Sequence, residues 1–175
     1  LTRYYKADAG IVISASHNTF EYNGIKFFNP EGFKLDDLIE EKIEDIIISS
    51  IDVNSHITGD LIGKCLEAEE SAAELYAQHL IETADFRLDG RKVVLDCANG
   101  ASYQVARRVY ESLGAEVVTI GDMPDGININ DGCGSTHPEK LQERVVKEGA
   151  FIGLAFDGDA DRLIVSDEKG RALDG

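Results

Sequence analysis

The feature that most constrains the fold is an alternation of short apolar strands and amphipathic helices in the second half of the chain. In chain order, the predicted elements are a strand at 92–96, a helix at 102–113, a strand at 116–120, a helix at 138–148 and a strand at 150–156. Strands that alternate with helices pair in parallel, because each helix returns the chain to the start of the next strand. The pattern therefore predicts an α/β fold with a parallel sheet and helical crossovers, followed by two short strands at 163–166 and 171–173.

The first half of the chain is patterned less regularly. The run 9–15 is short, apolar and rich in β-branched residues, which is typical of a strand buried on both faces. A polar loop follows, then a second predicted strand at 25–28 and a turn at 29–32. A helix capped by Asp36 or Asp37 comes next, and its apolar residues recur at helical spacing: Leu38, Ile39, Ile43, Ile46 and Ile47.

The junction between the two halves predicts a domain boundary. Residues 50–65 are expected to be irregular, and 67–83 to form a helix. A connection at 84–91 then precedes the regular α/β pattern, so we divide the chain into domains 1–85 and 86–175. Since the pattern stops at Gly175 between strands, we interpret both domains as incomplete and the chain as part of a longer protein.

Charge and cysteine content limit the possible partners. The chain has 17 basic and 33 acidic residues, a net charge of −16, which predicts no nucleic-acid partner and no anionic membrane surface. No apolar run approaches the roughly 20 residues of a membrane span, and the start does not resemble a signal peptide. Three widely spaced cysteines indicate neither a disulfide framework nor a zinc site, which favours a reducing cytoplasm.

The most informative motif is acidic and directly follows the apolar strand that ends at Phe156. It contains Asp157, Asp159 and Asp161 at alternate positions, with Arg162 after them. Three such carboxylates can converge on one hard divalent cation, and sites on open α/β sheets lie at the carboxyl ends of strands. A metal site is the preferred interpretation, and an acidic surface turn is the alternative.

A calcium-binding helix-loop-helix is a further alternative for this motif. Asp157, Asp159, Asp161 and Glu168 occupy positions one, three, five and twelve of such a loop. Position six is Arg162 in place of the required glycine, and the flanking segments have strand patterns, so we disfavour it.

Two polar loops are weaker candidates. Ser16 and His17 follow the first strand, with Lys26 ten residues further on, and these residue types can carry a phosphoryl group or relay a proton. The loop 126–139 is long and rich in glycine and asparagine, which suits backbone N–H groups that bind an anion. An ordinary polar connection is the alternative for both loops. Residues 96–100 are interpreted as a structural strand-to-helix turn.

Four segments together resemble the α-D-phosphohexomutases, and the resemblance covers essentially the whole chain. They are, in order, SASHN at 14–18, NGIKFF at 23–28, DCANG at 96–100 and DGDADR at 157–162. The resemblance implies two consecutive α/β domains of this family. It also implies that Ser16 carries the phosphoryl group, and that Asp157, Asp159 and Asp161 bind Mg²⁺ together with a phosphate oxygen on Ser16.

The resemblance implies further site residues and a reaction. Lys26 would be the general acid or base, with His17 and Arg162 supporting the phosphoryl group. The loop 128–137 is similar to the bacterial branch that interconverts glucosamine 6-phosphate and glucosamine 1-phosphate through a bisphosphate, for UDP-N-acetylglucosamine and cell-wall synthesis. Other members act on glucose or mannose phosphates, and that alternative remains open, as does a non-catalytic calcium module.

The chain departs from the family pattern in two respects. Thr19 replaces the proline that usually follows the His-Asn pair, which we expect to loosen the serine loop without removing a reactive group. The family's N-terminal segment, sugar-recognition domain and C-terminal phosphate-binding domain are absent from this sequence. The 175 residues alone are therefore expected to be inactive.

Overall fold

The computed structural model describes residues 1–49, 58–66 and 71–173. Contacts divide the chain into two compact units. The first unit comprises Leu1–Val12 and Lys26–Glu70, and the second comprises Ile13–Ile25 and Ser71–Gly175. The loop that carries Ser16 is thus grouped with the later part of the chain, and the boundary after residue 85 remains a prediction.

Two strands and one helix lie in the early part of the chain. Strand β1 (Gly10–Ser14) pairs with β2 (Gly24–Phe28) in a two-stranded sheet, and helix α1 spans Asp37–Ile48. The predicted helix cap is confirmed, since Asp36 Oδ1 accepts a hydrogen bond of 3.0 Å from the Leu38 N–H.

The predicted burial of β1 is wrong. Ile11, Val12 and Ile13 are 63%, 41% and 73% exposed, although they alternate between the two faces of the strand. Among the described residues β1 has only β2 as a strand neighbour, so its apolar side chains stay in contact with solvent. Helix α1 likewise has no buried residue.

The second unit contains a five-stranded mixed sheet. Its strands are β3 (Lys92–Asp96), β4 (Glu116–Ile120), β5 (Ile152–Phe156), β6 (Leu163–Ser166) and β7 (Ala172–Leu173). The strand order is β4-β3-β5-β6-β7. β3 is parallel to β4 and β5, whereas β6 and β7 are antiparallel additions. This arrangement confirms the α/β class with a sheet that is parallel at one side.

Three helices accompany this sheet. They are α2 (Ala72–Thr83), α3 (Ala106–Ser112) and α4 (Glu139–Glu148). The predicted helix at 102–113 is divided, because a short 3₁₀ turn at Ala101–Gln104 precedes α3. The predicted strands at 92–96 and 116–120 match β3 and β4 at both ends. None of the helices in the described residues is long and apolar enough to traverse a bilayer.

The core lies on both faces of the sheet. One cluster of buried residues contains Val93, Leu95, Cys97, Ala106, Ala115, Val117 and Leu154. A second contains Val94, Leu141, Val145, Ala150 and Ala155. Successive residues of β3 therefore enter different clusters, as the alternation of side chains along a strand requires. A third cluster packs Ala77 of α2 against Val109 and Leu113.

Candidate active site

The acidic motif lies at the carboxyl end of β5, beside the carboxyl end of β3. β4 lies on one side of β3 and β5 lies on the other, so the connections diverge at this point of the sheet. Such divergence creates the crevice in which α/β folds usually bind ligands. One carboxylate oxygen from each of Asp157, Asp159 and Asp161 lies within 4.8 Å of the others, as a shared cation would require.

Asp157 is the deepest of the three carboxylates. Its side chain is fully buried, and Oδ1 accepts a 3.1 Å hydrogen bond from the Arg162 N–H. Oδ2 is buried without a hydrogen-bond donor among the described residues, although Arg162 Nε lies 3.6 Å away. Burial raises the pKa of Asp157, while the Arg162 N–H lowers it and the charges of Asp159 and Asp161 raise it again.

These features of Asp157 fit a cation-binding site. A buried carboxylate oxygen that lacks a donor is costly unless a cation compensates it. The donor set consists of hard carboxylate oxygens, which suit Mg²⁺ or Ca²⁺ better than a softer transition metal. The three carboxylates predicted to bind a metal are therefore brought together, and both the binding of an ion there and its identity stay predictions.

Ser16 occupies a strained backbone position next to this acidic loop. Its φ of +51° lies in the left-handed region, which costs a serine about 1–3 kcal/mol. Ser16 Oγ accepts a hydrogen bond from Arg162 Nη2 at 3.3 Å, and His17 Nδ1 lies 3.5 Å from the same oxygen. Arg162 Nη2 is also 2.5 Å from His17 Nδ1. Because arginine only donates, His17 Nδ1 is the acceptor in this arrangement.

Two polar residues that the sequence interpretation missed hold the serine loop. Ser14 Oγ donates to Asp159 Oδ2 at 2.7 Å and accepts from the Ser16 N–H at 2.9 Å. Asn130 Nδ2 donates to the carbonyl oxygens of Ser16 and Asn18, both at 2.8 Å. Asn130 is 4% exposed and has a φ of +58°, a conformation that asparagine tolerates better than most residues.

Gly158 allows these segments to approach each other closely. A Cβ atom at this position would lie 2.5 Å from the Ser16 carbonyl oxygen and 2.7 Å from Asn130 Nδ2. A side chain here would therefore displace the serine loop or the Asn130 side chain. The glycine of the acidic motif thus has a steric role beside the three carboxylates.

Two N–H groups of the glycine-rich loop donate to groups within the protein. The Gly134 N–H donates to Asp96 Oδ2 at 2.8 Å, and the Ser135 N–H donates to the Phe156 carbonyl at 2.8 Å. These two donors bind groups within the protein, and an anion-binding role for the loop 126–139 stays a prediction. Asp96 is buried and also accepts from the Ala98 N–H at 3.0 Å, which agrees with a structural role for residues 96–100.

Among the predicted catalytic residues, Lys26 is the one grouped with the first unit. It lies half-buried on β2 and belongs to the first unit, whereas Ser16, His17 and Arg162 belong to the second. Its predicted role as an acid or base therefore stays a prediction.

The flanks of the acidic motif are strands β5 and β6, which argues against the helix-loop-helix calcium alternative.

Comparison with known families assigns the class. The model of the phosphoglucomutase/phosphomannomutase alpha/beta/alpha domain I matches residues 1–53, and the model of domain II matches residues 74–170. The second match alone covers more than half of the chain. The chain belongs to the phosphoglucomutase/phosphomannomutase family, as the resemblance predicted.

Individual curated proteins show which members of this family the chain is similar to. The chain is 54% identical over 175 residues to phosphoglucosamine mutase from Clostridium novyi, and 55% identical over 177 residues to that from Clostridioides difficile. Each match covers the whole of this chain and 39% of the relative. The chain thus spans about two fifths of the length of these curated relatives.

Solved structures share the fold. A phosphoglucomutase/phosphomannomutase family protein from Burkholderia thailandensis is 29% identical with a TM-score of 0.71, over 95% of this chain and 35% of that chain. An Aspergillus fumigatus N-acetylphosphoglucosamine mutase variant in complex with glucose 1,6-bisphosphate is 17% identical with a TM-score of 0.59, over 98% and 46% of the two chains. At that identity the second likeness concerns the fold alone.

Proposed function

We propose that the protein containing this chain is a phosphoglucosamine mutase that interconverts glucosamine 6-phosphate and glucosamine 1-phosphate. The observation that carries the proposal is the position of Ser16. Its hydroxyl lies 3.3 Å from Arg162 Nη2, on a loop hydrogen-bonded to an acidic motif whose three carboxylates can share one cation. The 54% identity to phosphoglucosamine mutases supports the choice of substrate.

Ser16 is the phosphoryl carrier in this proposal. A sugar hydroxyl oxygen attacks the phosphorus of phosphorylated Ser16, the bond from phosphorus to Oγ breaks, and a sugar bisphosphate forms. The bisphosphate then reorients, and its other phosphoryl group returns to Oγ. Ser16 is therefore phosphorylated again when the product leaves, and no net phosphate is consumed.

Arg162 and His17 stabilise the transferring group. A guanidinium beside Oγ can bind phosphoryl oxygens with charge-assisted hydrogen bonds, and phosphoryl transfer depends mainly on such positioning and charge. His17 accepts from Arg162 and so orients the guanidinium. Lys26 is proposed to take the proton from the attacking sugar hydroxyl while the departing Ser16 Oγ takes a proton from solvent, and both proton transfers are reversed in the second phosphoryl transfer.

Asp157, Asp159 and Asp161 are proposed to hold Mg²⁺ together with a phosphate oxygen on Ser16. When bound, the ion would neutralise charge that develops on the phosphoryl group. The chain itself carries a net charge of −16, so we propose that parts of the protein outside this chain supply the groups that bind the sugar and its distal phosphate. The substrate chemistry and the composition both favour a cytoplasmic location.

Turnover of the longest native protein that contains this chain tests the proposal. We expect Mg²⁺-dependent conversion of glucosamine 6-phosphate, faster than that of glucose or mannose 6-phosphate, with a sugar bisphosphate present to phosphorylate Ser16. Ser16→Ala should abolish turnover and the added phosphoryl mass on the tryptic peptide. Ser112→Ala, an exposed serine on α3, is the control and should retain both.

Three outcomes would contradict parts of the proposal. Faster conversion of glucose or mannose 6-phosphate would refute the assigned substrate within the family. Turnover that survives Ser16→Ala would refute the carrier. Absence of turnover with all three sugars, together with Ca²⁺ binding that is indifferent to Ser16→Ala, would favour the non-catalytic calcium module.

A further inference from the structure

We propose that Ser14 is a positioning residue that couples the metal-binding acidic loop to the phosphoryl-carrying serine. The inference rests on the proposed function, because it assigns Ser14 a part in the same site. Ser14 and Asp159 are 145 residues apart in sequence, yet their side chains share a 2.7 Å hydrogen bond. The same Ser14 oxygen is 2.9 Å from the backbone nitrogen of Ser16.

The two hydrogen bonds fix the direction of the Ser14 hydroxyl. The Ser16 N–H donates to Oγ and occupies one of its lone pairs, so the Ser14 proton must be used in another direction. The carboxylate oxygen Asp159 Oδ2 accepts it, and a hydrogen bond to an ionised carboxylate is stronger than one between neutral groups. The Ser14 hydroxyl is therefore a directed link from Ser16 to Asp159.

This link has a consequence at each of its ends. At Asp159 it restricts rotation of a carboxylate that must present an oxygen to the cation shared with Asp157 and Asp161. At Ser16 it satisfies the N–H of a residue held at a φ of +51°, where the backbone would otherwise relax. Loss of the hydroxyl should thus loosen both the metal ligand and the nucleophile.

Asn130 does not duplicate this function. It binds the carbonyl oxygens of Ser16 and Asn18, so it holds the serine loop from the side of the 126–139 loop. Ser14 instead binds the N–H of Ser16 and a side chain of the acidic motif. Replacement of Ser14 should therefore alter metal affinity, an effect that a purely structural role at the end of β1 would not produce.

Substitutions at Ser14 in the longest native protein test the coupling. Mg²⁺ affinity is measured by isothermal titration calorimetry without substrate, and the rate constant and the Mg²⁺ concentration for half-maximal turnover are measured with glucosamine 6-phosphate. Ser14→Ala should weaken Mg²⁺ binding and lower turnover, each by about 10- to 100-fold, as loss of other groups that orient metal ligands does. Ser14→Thr keeps the hydroxyl and should restore both to near the wild-type values.

Two further variants complete the design. Ser14→Cys nearly preserves the side-chain volume and replaces the hydroxyl with a weak donor, so it should show the losses of Mg²⁺ affinity and turnover expected for Ser14→Ala. It takes the place of the alanine variant in the test if Ser14→Ala does not fold. Ser166→Ala removes a fully buried serine from β6, where Ser166 is paired with Gly153 at the opposite end of β5 from Asp157. This control should leave Mg²⁺ affinity unchanged.

The outcomes separate this inference from the proposed function. Wild-type protein that converts no sugar phosphate would refute the function, and the Mg²⁺ titration of the Ser14 variants would still decide the coupling. An active wild type with equal Mg²⁺ affinity in Ser14→Ala and Ser14→Cys would overturn the coupling and leave the function intact. Equal losses in Ser14→Thr and Ser14→Ala would also overturn it, because the hydroxyl would then not be the group that matters.

Discussion

The serine loop (14–18) and the acidic loop (157–162) each follow a strand, but they are held in different ways. The acidic loop continues β5, whose central residues are buried between helices and the neighbouring strands. The serine loop continues β1, whose central residues are exposed. Packing therefore positions the carboxylates, whereas the nucleophile is positioned by the hydrogen bond that Ser16 donates to Ser14 and by those it accepts from Asn130 and Arg162.

This difference predicts how the two loops respond to substitution. Removal of buried side-chain atoms that pack against a strand lowers the free energy of unfolding of the protein, and the loop at the end of that strand is displaced as well. A loop held by polar contacts loses its geometry when one donor is removed, with a smaller change in the free energy of unfolding. Stability and function should thus be separable at the serine loop and linked at the acidic loop.

The largest expected effect tests the packing beneath the acidic loop. Leu141 of α4 is fully buried in the cluster that contains Ala155 of β5. Leu141→Ala should lower the free energy of unfolding by about 2–5 kcal/mol, measured by chemical denaturation. Leu38→Ala on α1 is the matched control, since Leu38 is 67% exposed and should lose only about 0.5 kcal/mol. Equal losses at the two leucines would break the comparison.

The next effect tests the close approach of the two loops. Gly158→Ala introduces a Cβ atom at 2.5 Å from the Ser16 carbonyl oxygen, a contact that can only be relieved by movement. We expect a loss of about 1–3 kcal/mol in unfolding free energy. Turnover should fall by about 100-fold, the cost of a displacement of roughly 1 Å in a reacting group.

Gly63→Ala is the control for this substitution, because among the described residues beyond its two chain neighbours no atom lies within 4 Å of a Cβ at Gly63, and its φ is not positive. Gly63→Ala should leave both stability and turnover near the wild-type values. Wild-type turnover in Gly158→Ala would show that the serine loop tolerates displacement from the acidic loop.

Elements with clear local boundaries could be predicted from the sequence alone. β3 and β4 were predicted at both ends because a glycine turn precedes each apolar run: Gly90 before β3 and Gly114 before β4. The acidic motif could be predicted because its three ligands are neighbours in sequence, so their convergence depends on one loop. Helix α4 starts one residue after the predicted Pro138.

Features that depend on distant partners could not be predicted in the same way. The exposure of β1 is one such feature, because the apolar pattern of a strand is the same whether or not other described residues pack against its faces. The roles of Ser14 and Asn130 are others, because their partners lie 145 and 114 residues away in sequence. Hydrophobic periodicity describes which face is apolar and carries no information about such polar pairs.

A smaller effect tests the polar support of the serine loop. Asn130→Asp keeps the size of the side chain but replaces the Nδ2 donor, so an oxygen faces the carbonyls of Ser16 and Asn18. We expect turnover to fall by about tenfold, and the free energy of unfolding to fall by about 1–3 kcal/mol because a buried carboxyl then faces two carbonyl oxygens. Asn29→Asp is the control, because Asn29 uses its side-chain oxygen to accept from the Phe33 N–H, and aspartate retains that oxygen. A loss of stability without a loss of turnover would contradict the separation.

The smallest expected effect compares the buried carboxyl of Asp157 in the acidic loop with the ion-paired carboxyl of Asp167, which directly follows β6. The hydrogen bond from the Arg171 side chain, supported by the Arg171 and Lys169 N–H groups, lowers the pKa of Asp167 below 3.8. A lowered folded-state pKa stabilises the fold above the unfolded value, and that stabilisation is lost as pH falls through the folded value. The stability difference between wild type and Asp167→Asn should therefore be constant from about pH 5 to 7 and shrink below about pH 4.

Asp157 should show the opposite slope. Because burial raises its pKa, the ionised carboxyl destabilises the metal-free fold at neutral pH, and protonation removes that cost as pH falls through the raised value. Chemical denaturation across this pH range, without metal, measures both groups when wild type is compared with Asp157→Asn and Asp167→Asn. If stability changed with pH in the same direction for both groups, burial would not control the pKa of Asp157, and the hydrogen bond and charge of Arg162, which lower that pKa, would dominate instead.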